Sequence, residues 1–181
     1  HIELEHTNAA IRKAKRGSAP GTSGWRYEHI KAMCEHAPGC DAAHTILSRM
    51  VAGEVGYAHS TNSTNPFLSS AKLMALERGH AKVRPIAIGD TWRRLACSTL
   101  IRAFKQQVEE RCLRARNLAF TTDGSAIIGR AAQLLLSTNP TWIDIESDLS
   151  SAFQRAARED CELELLDSDL DVFLPLVRTL Y

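Results

Sequence analysis

Hydrophobic residues recur along much of this chain every three or four positions, the spacing that places them on one face of an amphipathic helix. This pattern predicts helices over residues 6–16, 25–34, 41–51, 92–116, 125–136, 150–158 and 172–181. Pro38 and Gly39 are expected to end the second helix, and Asp41 is a suitable N-cap for the third. Asp90 or Thr91 is expected to cap the long helix over residues 92–116.

Other segments show strand-like patterns. Residues 72–78 and 83–88 flank a short turn and predict an antiparallel hairpin. Pro85 favours an edge position for the second strand, because proline donates no hydrogen bond to a neighbouring strand. Residues 141–149 alternate polar and apolar side chains and predict a third, short strand. We therefore expect an α+β fold that is mostly helical, with a small antiparallel hairpin.

Composition is typical of an ordinary folded protein of about one domain. Of the 181 residues, 44% are hydrophobic and 24% are charged, unlike disordered or low-complexity sequences. No apolar run approaches the ~18 residues of a transmembrane helix, so no membrane partner is expected. The five cysteines form no Cys-x-x-Cys pair and predict reduced thiols in an intracellular protein, without distinguishing nucleus from cytoplasm.

The formal net charge of +1 conceals two oppositely charged segments. Residues 77–116 contain ten Lys/Arg against four Asp/Glu, whereas residues 141–181 contain three against ten. This layout suits a protein that holds a polyanion on one wall and metal ions on another, and two solvated helix faces of opposite charge also produce it. Asp167, Asp169 and Asp171 are interpreted as a solvated acidic loop.

Two local patterns predict contacts with phosphate. Residues 17–24 are rich in Gly and Pro, and their backbone N–H groups either bind phosphate at a helix start or simply connect two helices. The second pattern is a set of basic residues on the hairpin and directly after it. These residues either bind a triphosphate or a nucleic-acid backbone, or they form a solvated basic surface. These residues are Arg78, Lys82, Arg84, Arg93 and Arg94.

A third pattern predicts a divalent metal site. Asp148 offers a carboxylate and Leu149 a backbone carbonyl at the end of the predicted third strand, and both are oxygen ligands suited to Mg²⁺. Phe153 follows on the next helix, where its ring would border a nucleotide sugar. The simpler interpretation is that Asp148 or Ser150 caps this helix and that Phe153 belongs to the core.

In this order and spacing, the three patterns resemble the N-terminal part of reverse transcriptases of the non-LTR retroelement type, over about residues 10–181. The opening motif of that family, roughly A-P-G-x-D-G, matches residues 19–24. Its fingers motif, roughly L-x-K-x5-R-P-I-A-x-G-x-x-x-R-R-L, matches residues 76–95, with Arg78 in place of the lysine. Its first palm motif, roughly D-x-S-x-A-F-N-x-x-x-R, matches residues 148–158.

The resemblance implies a right-hand polymerase fold, with residues 1–140 as a fingers-like region and residues 141–181 as the start of the palm. It implies transfer of a nucleotide from a dNTP to the 3′-hydroxyl of a DNA primer on an RNA template, with two Mg²⁺ ions. Asp148 would be the catalytic carboxylate and, with the Leu149 carbonyl, a metal ligand. The implied substrate-binding residues are Arg78, Arg84, Leu149 and Phe153, and the implied nucleic-acid-binding residues are Lys82, Arg93 and Arg94.

Other features leave further interpretations open. The departures from the family pattern, which indicate a divergent branch or a decaying copy, are Ser23, Asn117, Ala119, Ser151 and Gln154. The chain begins with His rather than Met, which indicates an excised piece, and these residues lack the family's downstream aromatic-x-Asp-Asp motif. We therefore expect a polymerase fragment that is inactive alone. The alternatives are a non-catalytic nucleic-acid-binding remnant of a retroelement and a helical interaction domain without a nucleic-acid partner.

We expect this 181-residue chain to add no dNTP to a primer on an RNA template, because one carboxylate and one carbonyl bind Mg²⁺ only weakly. Primer extension in the presence of Mg²⁺ measures this, with Asp148→Ala as a control for contaminating polymerase. Template-dependent extension that Asp148→Ala abolishes would contradict the expectation.

Overall fold

The computed structural model describes residues 1–54, 66–78, 82–145 and 155–180. They group into two compact units, His1–Phe104 with Leu165–Tyr181, and Lys105–Glu164. The predicted division into residues 1–140 and 141–181 follows the family motifs instead and stays a prediction.

The described helices and strands follow one another in an order that places the hairpin between two groups of helices. They are α1 (Leu4–Lys13), α2 (Tyr27–Met33), α3 (Ala37–Val51), α4 (Pro66–Ser69), β1 (Ala71–Arg78), β2 (Lys82–Gly89), α5 (Thr91–Ala103), α6 (Lys105–Arg114), α7 (Gly124–Thr138), α8 (Arg158–Leu166), a 3₁₀ turn (Asp171–Phe173) and α9 (Leu174–Leu180). The predicted α+β class and the antiparallel hairpin are therefore confirmed. None of the described helices is long and apolar enough to cross a bilayer.

The core of the first unit lies where α1, α3 and α5 pack together. Ile11 of α1, Leu47 of α3 and Leu100 of α5 are buried there. The apolar stripe predicted for the helix after the hairpin is confirmed, since Leu95 and Thr99 of α5 are also buried. Burial of this stripe fixes α5, and with it the end of β2, against the body of the unit.

Helix α3 begins earlier than the sequence predicts. Pro38 lies in its first turn rather than ending the preceding helix, because a first-turn residue needs no N–H partner inside the helix. His36, not Asp41, is the N-cap residue. Gly39 allows α2 and α3 to meet closely, since a Cβ at this position would lie 2.0 Å from the carbonyl oxygen of Met33.

The prediction of a single long helix over residues 92–116 is wrong, because the chain leaves helical geometry at Phe104. The backbone there has φ −117° and ψ 26°, and α6 begins at the next residue. The Phe104 ring packs edge-on against Phe173, with 6.1 Å between the ring centroids. No glycine or proline marks the break, so the sequence pattern gives no sign of it.

The second unit contains α6, α7 and most of α8, and Arg111 of α6 forms an ion pair with Glu164 of α8. The helix predicted over residues 125–136 is confirmed by α7, whereas α8 was not predicted beyond its first residue. Residues 141–145, the first part of the predicted third strand, are irregular, and the rest of that prediction lies outside the described residues. Ile143 and Ile145 are each 80% exposed, and a strand without a neighbour leaves its backbone groups unpaired.

All five cysteines are free thiols in the structure. Burial raises the pKa of the Cys34 thiol to about 11, and it also raises the pKa of Cys97. Asp167, Asp169 and Asp171 are exposed in and beside the turn after α8, as expected for a solvated acidic loop.

Candidate nucleic-acid interface

The two motifs nearest the N-terminus, separated by about 60 residues in sequence, meet at the junction between β2 and α5. A Cβ at Gly21 would lie 2.4 Å from the Cα of Asp90 and 2.9 Å from the carbonyl carbon of Gly89. Loop 19–24 therefore lies directly against the backbone at the end of β2, at a distance that only glycine permits. The opening motif thus packs against the base of the hairpin.

The Asp90 carboxylate joins this loop to the start of α5. The side chain is buried, and its Oδ1 accepts a hydrogen bond of 3.0 Å from the N–H of Trp92. Its Oδ2 accepts one of 3.1 Å from the N–H of Ser23. One side chain therefore caps the helix and holds the loop, because its two oxygens serve two different segments.

Thr91 and Arg94, in the first turn of α5, hold the same loop and the residue that follows it, Trp25. The Thr91 hydroxyl donates to the carbonyl of Trp25 at 2.6 Å. The Nη2 of Arg94 donates to the carbonyl of Ala19 at 2.7 Å and to Thr91 Oγ1 at 3.2 Å. The Arg94 guanidinium also lies over the Tyr27 ring, 4.9 Å from its centroid, in a cation–π arrangement.

The surroundings of Tyr27 and Glu28 show how α2 takes part in this packing. Partial burial raises the pKa of the Tyr27 hydroxyl, and the nearby charge of Arg94 opposes that rise. The backbone N–H of Gly17, where the loop begins, donates to the Glu28 carboxylate and holds its pKa below the usual value. Both ends of the stretch over residues 17–24 are therefore attached to helices of the first unit.

Arg93 contacts both ends of the hairpin. Its Nη1 donates to the carbonyl of Ser69 at 3.2 Å, and the guanidinium covers Gly89, where a Cβ would lie 2.2 Å from Nη2. The hydroxyl oxygens of Thr22 and Ser70 lie 3.0 Å apart and link the loop to the residue before β1. The strand that enters the hairpin and the strand that leaves it are thus both held at their bases.

Arg93 and Arg94, which the resemblance assigns to nucleic acid, direct these donors into the protein. The Nε of Arg94 is also buried and has no hydrogen-bond partner among the described residues. Their assignment as nucleic-acid ligands stays a prediction, whereas their structural role follows from the contacts above. A basic pair at the start of a helix carries no sequence signal that distinguishes these two uses.

Basic and acidic positions of the hairpin fall on opposite faces. Pairs in the register include Arg78 with Lys82, Leu76 with Arg84, Met74 with Ile86 and Lys72 with Ile88. Because side chains alternate along a strand, positions 72, 78, 82 and 84 fall on one face, which we call the cationic face. It holds every basic residue of the two strands, and Glu77, their one acidic residue, falls on the opposite face.

The hairpin stands apart from the helical core. Arg84 and Lys72 are exposed, and so are the neighbouring apolar side chains Met74 and Leu76 on the cationic face. Leu73 on the opposite face is 71% exposed. For Arg78 and Lys82 the structure describes the backbone register only. The arrangement presents cationic and apolar groups side by side, which suits ligands that combine phosphates with bases.

The predicted metal site lies outside the described residues, since Asp148, Leu149 and Phe153 fall between residues 146 and 154. Within the parts of the chain that the structure describes, no group of three or more His, Cys, Asp or Glu residues is arranged to hold a metal ion. Mg²⁺ binding therefore stays a prediction.

Sequence reasoning missed several residues of the junction. The sequence pattern indicates Asp90 only as a possible cap, and it places Trp25 and Tyr27 only within a helical segment. The link from Asp90 to Ser23 spans 67 positions in sequence, and no local pattern encodes it. The close spacing of Gly21 and Gly24 was the one available signal, because such loops often approach another backbone.

Comparison with protein-family models, with curated proteins and with solved structures found no match to this chain. Any assignment of chemistry to the hairpin therefore rests on the residues of the chain itself.

Asp90→Asn is expected to lower the free energy of unfolding by about 2 kcal/mol, because an amide group replaces one of the two oxygens of a buried carboxylate that accept from backbone N–H groups. Asp123→Asn is the matched control: Asp123 is the N-cap residue of α7, makes no side-chain cap bond, and has φ 57°, which asparagine tolerates. Urea unfolding followed by tryptophan fluorescence measures both. Equal losses in the two variants would contradict the role assigned to Asp90.

Proposed function

We propose that this chain is the fingers region and the start of the palm of an RNA-directed DNA polymerase of the non-LTR retroelement type. In this proposal the cationic face of the hairpin binds the phosphates of the incoming dNTP and of the RNA template and DNA primer. The observation that carries it is the run of residues 76–95, whose match to the fingers motif takes in the end of β1, all of β2 and the first turn of α5.

The packing of the opening motif supports the proposal. Residues 19–24 are distant in sequence from residues 76–95, yet both segments meet at Asp90 and Gly89. Two matches to one family that arose by chance would have no reason to form one packing unit. Arg94 holds the carbonyl of Ala19 in this loop, and Arg93 holds the carbonyl of Ser69 before β1, so both arginines of the motif have a physical role in fixing the hairpin base.

Charge and exposure support the choice of ligand. Four basic positions share one face of an exposed hairpin, and a planar guanidinium such as that of Arg84 engages phosphate oxygens through two hydrogen bonds. Cationic groups on a projecting hairpin neutralise phosphate charge without a deep pocket. Exposed Met74 and Leu76 provide apolar contact area next to these charges.

The polymerase chemistry itself is assigned to residues outside the described part of the chain. Asp148 and the Leu149 carbonyl are the proposed Mg²⁺ ligands; when bound, the ions favour ionisation of the primer 3′-hydroxyl and neutralise the leaving pyrophosphate. Phe153 is proposed to border the sugar of the dNTP. The hairpin residues contribute binding and positioning of the triphosphate, a requirement common to phosphoryl transfer.

Arg84→Ala is expected to weaken binding of an RNA–DNA hybrid about tenfold, because it removes a charge-assisted contact with phosphate. The slope of log affinity against log salt concentration should fall by about one, the change that follows the loss of one phosphate contact. Fluorescence anisotropy of a labelled hybrid across a salt series measures both quantities. Arg130→Ala, which removes an exposed arginine from α7, is the matched control and should change neither.

The outcomes separate the interpretations. Weaker binding by Arg84→Ala together with tighter hybrid binding in the presence of the template-matched dNTP supports the polymerase proposal. Arg84-dependent binding that ignores the dNTP favours the non-catalytic remnant instead. A wild-type chain that binds no hybrid at low salt overturns both and leaves the helical interaction domain.

A further inference from the structure

An exposed tryptophan lies at the base of the hairpin and has no role in the function proposed above. Trp25 precedes α2, and 38% of its surface is exposed. Its ring meets the ring of Trp92 edge-on, with 5.6 Å between centroids and 64° between planes. It meets the His29 ring in the same manner at 6.0 Å and 69°. The indole is therefore held between two other rings, each tilted steeply against it, while more than a third of its surface stays exposed.

The backbone of Trp25 is held as firmly as its ring. Its N–H donates to Ser23 Oγ at 3.3 Å, and its carbonyl accepts from the Thr91 hydroxyl at 2.6 Å. Gly24 immediately before it has φ 76°, a conformation that favours glycine. An aromatic side chain fixed in this way loses little conformational entropy when a flat ligand stacks on it.

The Trp25 ring lies near the end of β2, a strand that carries part of the cationic face. Trp92, against which Trp25 packs, is only three residues beyond Gly89, the last residue of β2. Arg26, next to Trp25 in sequence, is exposed and places a basic residue directly after the ring. A rigid exposed aromatic beside basic groups is the combination with which proteins bind single-stranded nucleic acid, stacking on bases and pairing with phosphates.

We propose that Trp25 is a stacking platform for an unpaired nucleobase of the strand whose phosphates contact the cationic face. The inference rests on the proposed function, since it requires that the hairpin bind nucleic acid. It adds that the chain recognises bases as well as phosphates, at the base of the hairpin. The contact is with the π-face of the base, so RNA and DNA strands are both suitable ligands.

Two single strands of equal length test the proposal, one of ordinary RNA and one in which every base is absent while the sugars and phosphates remain. The wild-type chain is expected to bind the RNA about tenfold more tightly than the abasic strand. Trp25→Ala should remove this preference while leaving affinity for the abasic strand and the salt slope unchanged. Trp25→Phe, which keeps an aromatic face, should retain most of the preference.

The control is Trp142→Ala, which removes another exposed tryptophan, from the second unit, and should leave the preference intact. Circular dichroism of each variant checks the fold. If Trp25→Ala weakens binding of both strands equally, or if the wild-type chain shows no preference, the stacking proposal is wrong while phosphate binding stands. If the wild-type chain binds neither strand, the proposed function itself fails. A repeat with a DNA strand and its abasic counterpart is expected to give the same preference.

Discussion

The buried carboxylate of Asp90 is the interaction on which the hairpin and its surroundings depend. Its two oxygens accept from Trp92 at the start of α5 and from Ser23 in the loop before α2. A buried carboxylate is stable only when its oxygens are satisfied, so the loop and the helix must both be in place. Gly21 then lies against the backbone of Asp90, and Arg94 holds the carbonyl of Ala19. The base of the hairpin is thereby fixed to the helical core.

A fixed base gives the exposed hairpin a defined direction. A two-stranded ribbon is barely stable alone in water, and this one has few contacts with the core other than those at its base. Its charge pattern is regular despite this exposure: the basic positions share one face and Glu77 lies on the other. Basic positions on one face of an exposed ribbon suit contact with a polyanion. This is the physical basis of the proposed binding of nucleotide and nucleic acid.

Much of the fold followed from local patterns, and the failures have physical causes. Two strand-like runs around a short turn predicted the hairpin, and the apolar spacing through Leu95 and Leu100 predicted α5 because it reports burial of one helix face. The break at Phe104 depends on a contact with Phe173, which no local pattern encodes. Donors of Arg93 and Arg94 reach backbone carbonyls of distant segments, contacts that no local pattern encodes. The hairpin that carries the candidate site was thus predicted as a structural element, whereas the junction that positions it was not.

Hydrogen exchange of the chain with and without an RNA–DNA hybrid tests the central claim most directly, since it locates the bound surface without any substitution. The account predicts slower exchange in peptides covering β1, β2 and the segment around Trp25, with no change in α3, which contributes Leu47 and Met50 to the core. Protection confined to α3 or to the second unit, with unchanged exchange in the hairpin, would contradict it.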